Sequence, residues 1–329
     1  MSELRWNPIL REWVVTATHR QDRTFLPPAD YCPLCPTRPG GFPTEVPAER
    51  YEFVVFDNKF PSFRADPPAP AVAGSALLPV RPSAGACEVV LYSQRHDSTL
   101  AEASTDDLVR LTRVWRDRYE TLGARPDVDY VFIFENKGTA IGVTLHHPHG
   151  QIYAFSYLPP RLERSIASED AHHAATGRCL HCDVLAEELA DGRRVVAENA
   201  HFVAIVPFYA RYPYELHLYA KAHLPSLSAF TPAHDRAFAE LLGGVLRKLD
   251  GLWGISMPYV MVMQQAPTDG VDRAGSHFRL EFYPPLRTKE KLKYLAGCES
   301  GAGTYINDTL PEEKAAELRA VAPQMEFAR

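Results

Sequence analysis

The segment His147-Pro148-His149-Gly150-Gln151 carries the densest potential chemistry in the chain. On an extended backbone, side chains at i and i+2 project to the same side, so His149 sits beside whatever holds His147. A neutral imidazole is a competent nucleophile near neutral pH, and its adduct with phosphorus stays labile because the ring nitrogen leaves readily. Gly150 is expected to let a phosphate approach the backbone, and the Gln151 amide can donate to a non-bridging oxygen. The same spacing also allows both histidines to serve a metal alone.

Four of the six cysteines form two CxxC pairs, Cys32 with Cys35 and Cys179 with Cys182. In a reducing compartment, paired thiols call for a metal or redox reading. Each pair has two histidines further along, giving the quartets Cys32, Cys35, His96, His147 and Cys179, Cys182, His223, His277. Two thiolates and two imidazoles are a closed tetrahedral set of the kind zinc prefers. The ligands are too dispersed for compact fingers, so the expected ions clamp loops onto a sheet. A thioredoxin-like role fits poorly, because Cys32 lies in a proline-bound loop rather than at the start of a helix.

The elements that must position these residues occur twice. Residues 88–100 align without a gap on 215–227, pairing Glu88 with Glu215, Tyr92 with Tyr219 and His96 with His223. Each copy runs from a strand into a helix opened by an N-cap signal, Ser104 or Thr231. Each helix leads to an apolar strand, 129–134 or 258–263, and then to a histidine, His147 or His277. His149 falls opposite Arg279, so only the first copy has the second histidine. Upstream, 51–56 and 201–206 are matching apolar strands. The class is α+β: two copies of one unit, each an antiparallel sheet with a packed helix, over residues 1–160 and 175–329. The stretch from Pro159 to Gly177 reads as the linker, and 36–47 and 61–82, rich in proline, glycine and alanine, as loops.

With 329 residues and a net charge of −6, the chain has no basic excess for nucleic acid or an anionic membrane. It shows neither a signal pattern at its start nor an apolar run long enough to span a bilayer, and a cytoplasmic location is expected. A non-catalytic nucleotide binder would need neither His149 nor Gln151.

Glu135-Asn136-Lys137-Gly138, Gly142 and His147-Pro148-His149-Gly150-Gln151-Ile152 resemble the signature of the galactose-1-phosphate uridylyltransferase family, in the histidine-triad (HIT) superfamily. The likeness spans nearly the whole chain. It includes Arg5-Trp6-Asn7-Pro8, the segment His19 to Arg23, Val55 to Phe60, Phe282 to Leu286, and Lys293 with Gly297-Cys298-Glu299. The resemblance implies two tandem HIT-like domains, with the nucleophile in the first. It implies double displacement: His149 takes a uridylyl group from UDP-glucose, releasing glucose 1-phosphate, and galactose 1-phosphate then collects it as UDP-galactose. Gln151 would hold the α-phosphate oxygen. Gly142 and Thr144 map to a phosphate-touching segment, and Asn136 is counted with the substrate contacts. Arg20 and Arg23 would carry phosphate charge, Asn58 would meet the ribose, and Lys293 and Glu299 the phosphate and hexose hydroxyls. Site residues in the family reach across a dimer interface, so a homodimer is expected.

The chain departs from the family pattern in two places. Some members bind iron in the second half through histidines, where this chain has Gln264, Arg279 and Glu281, so two zincs and no iron are expected. Cys298 stands where a tyrosine is usual, and 303–308 looks as much like related nucleotide-sugar phosphorylases. The alternative is therefore an ADP-glucose phosphorylase-like enzyme, using the same His149 with inorganic phosphate as acceptor, or another sugar-1-phosphate nucleotidyltransferase.

Overall fold

The two copies join edge to edge in one sheet. The structure, a computed structural model, describes residues 2–22 and 31–322; Arg23 lies outside them. In chain order the elements are β1 (Ser2–Asn7), β2 (Glu12–Ala17), β3 (Val54–Asp57), β4 (Val80–Pro82), β5 (Gly85–Leu91), α1 (Thr105–Gly123), β6 (Tyr130–Lys137) and β7 (His149–Phe155). There follow α2 (Pro160–Thr176), α3 (Leu180–Asp191), β8 (Val195–Glu198), β9 (Phe202–Ile205), β10 (Leu216–Ala220) and α4 (Pro232–Gly251). The chain continues through β11 (Tyr259–Gln264), β12 (Arg279–Tyr283), the hairpin β13 (Leu286–Thr288) and β14 (Lys291–Leu292), and α5 (Pro311–Ala320).

The main sheet has nine antiparallel strands in the order β3-β5-β7-β6-β11-β12-β10-β9-β8. Read outward from the centre, β6, β7, β5 and β3 mirror β11, β12, β10 and β9. The central pair is antiparallel, with Asn136 opposite Val260 and Glu135 opposite Met261, so the halves are related by a pseudo-twofold axis between them. Joining them leaves fewer unpaired strand edges than two separate sheets would have.

Strand alternation sorts the side chains onto two faces. On one, Val90, Val131, Ile133, Ile152 and Ala154 meet the first-half helix α1, and Leu218, Met261, Met263, Leu280 and Phe282 meet its counterpart α4, in a single shared core. The two helices lie side by side. Each starts with a capping box: Ser104 accepts from the Asp107 N–H, and Thr231 from the His234 N–H. Such caps contribute about 1 kcal/mol each. Asp235 of α4 binds Arg116 of α1, and Lys137 of β6 reaches Asp250 of α4 at 2.9 Å, tying the copies together through buried charge.

The opposite face carries His149 and Gln151, and three structures cover parts of it. The Cys32–Val46 loop packs Leu34 and Val46 on Val89 and Leu91. Helix α3 sets Leu185 on Val203, Ile205 and Tyr219. A small sheet, β2-β1-β4, brings Leu4 against Phe63 and Cys87, with Trp13, Tyr153 and Phe155 beside them. Its third strand lies at the end of the 61–82 stretch, the rest of which is irregular.

The segment expected to be a linker is instead helix α2. Pro160 stands in its first turn, where the missing N–H costs nothing, and Gly177 ends it at φ 71°. Leu162 and Ile166, at i and i+4, bury against Tyr130, so α2 crosses the open face near the seam.

Candidate active site and metal clusters

His149 opens β7 opposite Leu91 of β5, with Gln151 opposite both Val89 and Phe134. His149, Gln151 and Tyr153 alternate onto the open face, and each is half-buried. The His149 Nδ1–H donates to the His147 carbonyl at 2.8 Å, which selects the tautomer with its lone pair on Nε2. Oε1 of Gln151 accepts from the Asn58 amide and from the Tyr153 hydroxyl, both at 3.3 Å. That turns the Gln151 NH2 group into the donor end. Arg20, on a short 3-10 turn after β2, donates to Ser62 Oγ at 2.9 Å and to the Tyr153 hydroxyl at 3.4 Å. A nucleophile, an amide donor and a guanidinium therefore converge on one side of the sheet.

Of the residues singled out from sequence, His149, Gln151, Asn58 and Arg20 are brought together. Asn136, Gly142 and Thr144 lie on β6 and the loop leading into β7, with Gly142 at φ 78° closing the turn 139–141. Lys293 and Glu299 sit elsewhere: they pair with each other at 3.2 Å beyond β14, and Lys293 also reaches the Ile306 carbonyl. Backbone N–H groups and the Lys293 ammonium hold Glu299 down to about 2. Gly150 needs correction. Its side points into the core rather than toward a phosphate, and a Cβ there would lie 1.8 Å from the Tyr92 hydroxyl. Glycine is required for packing. Tyr153 and Ser62 were missed; the i+2 alternation from Gln151 identifies Tyr153, whereas nothing local marks Ser62. A cavity of about 1070 Å³ near 93–104 touches Tyr92 and Pro148 but none of the converging groups.

Both cysteine–histidine quartets are assembled, with the four ligand atoms of each within 4.8 Å of one another. In the first, Cys35 Sγ lies 3.5 Å from Nδ1 of His96 and 3.5 Å from Nδ1 of His147. In the second, Cys182 Sγ lies 3.6 Å from Nδ1 of His223 and 3.5 Å from Nδ1 of His277. A tetrahedral ion with S and N bonds near 2.3 and 2.05 Å spans about 3.6 Å between unlike ligands, so these donors already stand at metal-bound separation. The repeat extends to the outer shell: Nε2 of His147 meets the Ser93 carbonyl at 2.7 Å, and Nε2 of His277 meets that of Ala220 at 2.9 Å. Ser93 and Ala220 are aligned positions of the repeat. Such bonds fix which imidazole nitrogen faces the ion. In the first half the Tyr51 hydroxyl adds to this shell, donating to the Ser93 carbonyl at 2.7 Å beside His147 Nε2.

Burial, then the neighbouring thiol, pushes Cys35 up to about 11 and Cys182 up to about 12. Burial pushes His147 and His277 down to about 4. Neutral imidazoles are ready to ligate, while the thiols need a cation to become thiolates. The second pair opens helix α3, with Cys179 as its N-cap, so the proline-loop argument against redox chemistry applies only to the first. The two histidines at ligand distance distinguish it from a redox pair.

Comparison with known proteins agrees with this geometry. Residues 1–159 match the family model for the N-terminal domain of galactose-1-phosphate uridyl transferase, and residues 165–328 match the model for its C-terminal domain. The chain is 40% identical to the galactose-1-phosphate uridylyltransferase of Thermotoga maritima, covering 97% of this chain and 98% of that one. It is 32% identical to the one from Rattus norvegicus, over 98% and 88%. A solved uridylyltransferase structure superposes with a TM-score of 0.86 at 31% identity, over 97% and 98%. An ADP-glucose phosphorylase from Arabidopsis thaliana shares the fold, at a TM-score of 0.74, 23% identity, and 98% and 100% coverage. With both halves matched and the histidine, glutamine and metal-ligand clusters in place, the chain belongs to the galactose-1-phosphate uridylyltransferase family.

Proposed function

We propose that this protein is a UDP-glucose–hexose-1-phosphate uridylyltransferase working by double displacement through His149. The observation that carries the reading is the His149 tautomer: Nδ1–H on the His147 carbonyl leaves the Nε2 lone pair to attack. Nε2 bonds to the α-phosphorus of UDP-glucose as the bond to the glucose 1-phosphate oxygen breaks, and glucose 1-phosphate departs. The phosphate oxygen of galactose 1-phosphate then attacks the uridylyl-histidine, forming UDP-galactose and restoring the imidazole. The Gln151 amide donates to a non-bridging oxygen in both steps, where charge accumulates. Arg20 offsets phosphate charge, Asn58 orients Gln151 and meets the ribose, and Asn136, Gly142 and Thr144 line the nucleotide's approach. Arg23 belongs to the same basic segment.

Residues 1–160 are the catalytic unit on this reading, and 175–329 a unit without a nucleophile. Zinc is the proposed ion at both quartets. Held by Cys32, Cys35, His96 and His147, it would supply rigidity to the carbonyl on which His149 leans. In the second half, Glu281 is engaged by Arg279 and Arg161, both at 2.8 Å, which disfavours iron there. Lys293 and Glu299, which pair with each other away from His149 in this chain, would serve the site of a partner subunit in a homodimer. Among the described residues no helix is long and apolar enough to cross a membrane. A reducing cytoplasm keeps the four thiols available as ligands.

The acceptor experiment is direct. Enzyme carrying the uridylyl group is mixed with galactose 1-phosphate, glucose 1-phosphate or inorganic phosphate. Rapid discharge to UDP-hexose by the sugar phosphates is expected. Preferential discharge by inorganic phosphate would replace this reading with the phosphorylase alternative.

A further inference from the structure

The pseudo-twofold axis gives the catalytic face a counterpart in the second half. Arg279 opens β12 as His149 opens β7, and Glu281 and Tyr283 follow where Gln151 and Tyr153 stand. A guanidinium cannot lose its proton and attack phosphorus, so this position can hold an anion but not transfer one. The counterpart encloses a cavity of about 340 Å³ under α2.

Its lining is strongly cationic for a chain of net charge −6. Four guanidinium groups, Arg161, Arg164, Arg211 and Arg279, face two carboxylates, Glu215 and Glu281. The carboxylates orient three of the four: Glu281 binds Arg279 and Arg161, and Glu215 binds Arg211 at 3.2 Å. Arg164 pairs with no carboxylate among the described residues. The excess of two positive charges matches the dianion of a phosphate monoester.

The size of the cavity points to what the monoester carries. At the small end of ligand-pocket volumes, about 300–1,000 Å³, the cavity suits a monosaccharide phosphate better than a nucleoside diphosphate sugar.

We propose that the second half holds a non-catalytic binding site for a sugar phosphate monoester, its phosphate on Arg161, Arg164 and Arg279 and its sugar filling the rest of the cavity. The site is separate from the His149 site of the same chain. It provides a way for substrate or product concentration to act on the enzyme.

Calorimetric titration of the zinc-loaded full chain with glucose 1-phosphate tests it. Two equivalents per chain are expected, and R161Q/R164Q, which alters exposed lining residues, should weaken one of them at least 10-fold while turnover remains measurable. Inorganic phosphate should bind that second site at least 10-fold more weakly than the sugar phosphate. Binding that the double variant leaves unchanged, whether one equivalent or two, overturns the site. Equal affinity for inorganic phosphate overturns the sugar part of it. The count of two rests on glucose 1-phosphate also binding at His149; a single equivalent that the double variant weakens would keep this site and count against that reading instead.

Discussion

The open faces of the two halves have kept different things. Both keep the metal quartet down to the carbonyl behind the buried histidine, Ser93 in one and Ala220 in the other. Only the first keeps an imidazole and an amide beside it; the second has Arg279 and Glu281 at those places. The frame is thus separable from the chemistry. The quartet joins loop or helix to sheet in both copies, and on the proposed mechanism the residues two and four positions beyond the buried histidine set whether phosphorus chemistry can follow.

The comparison breaks most sharply at His149. His149→Gln should reduce turnover by at least about 10⁴-fold while metal content and the thermal midpoint stay unchanged, as removal of a nucleophile does. If that variant keeps appreciable turnover, the first half owes its activity to something else. Gln151→Ala comes next, with an expected loss of about 10²–10³ in kcat from one missing donor to the developing charge, measured in steady state.

The quartets should separate in a matched pair of variants. Cys35→Ser and Cys182→Ser should each lower zinc by one equivalent of the expected two. Cys35→Ser should also lower kcat by about 10–100-fold, because the His147 carbonyl that orients His149 loosens. Cys182→Ser should cost thermal stability and leave kcat nearly intact. Equal kinetic losses would mean the second ion also supports the catalytic face.

A packing test follows. Gly150→Ala should destabilise by about 1–3 kcal/mol, since its Cβ meets the Tyr92 hydroxyl. Adding Tyr92→Phe should recover much of it, because that hydroxyl has no hydrogen-bond partner to lose. The smallest effect is shared by both halves. In metal-free protein His147 and His277 resist protonation down to about 4, against 6.5 ordinarily. The unfolded chain takes protons first as pH falls, so stability should be full above 6.5 and decline between 6.5 and about 4. Urea midpoints across that range check the sign.

Much of this was legible in residue types. Ligation and nucleophilic attack demand particular atoms, so Cys32, Cys35, His96, His147 and His149 stand out, and a second copy of the order made coincidence improbable. The joining of the sheets was not legible, because apolar strands such as 130–134 and 259–263 look alike whether they lie at an edge or at the centre. Helix α2 was hidden by Pro159 and Pro160, which mark a helix start as readily as a linker. Gly150 faces inward because His149 and Gln151 face outward, but the Tyr92 hydroxyl that fills the space beside it lies 58 residues away in the sequence and leaves no local sign. Partners contributed by distant loops, such as Ser62 under Arg20, leave no local pattern.

The central claim is that one histidine per chain, in the first half only, carries the transferred group. Incubating the protein with UDP-glucose labelled in the α-phosphate, then quenching and mapping the label, tests it most directly. The account predicts close to one acid-labile, base-stable adduct per chain, located on His149 and absent from His149→Gln. No covalent label, or label retained in that variant, would contradict it.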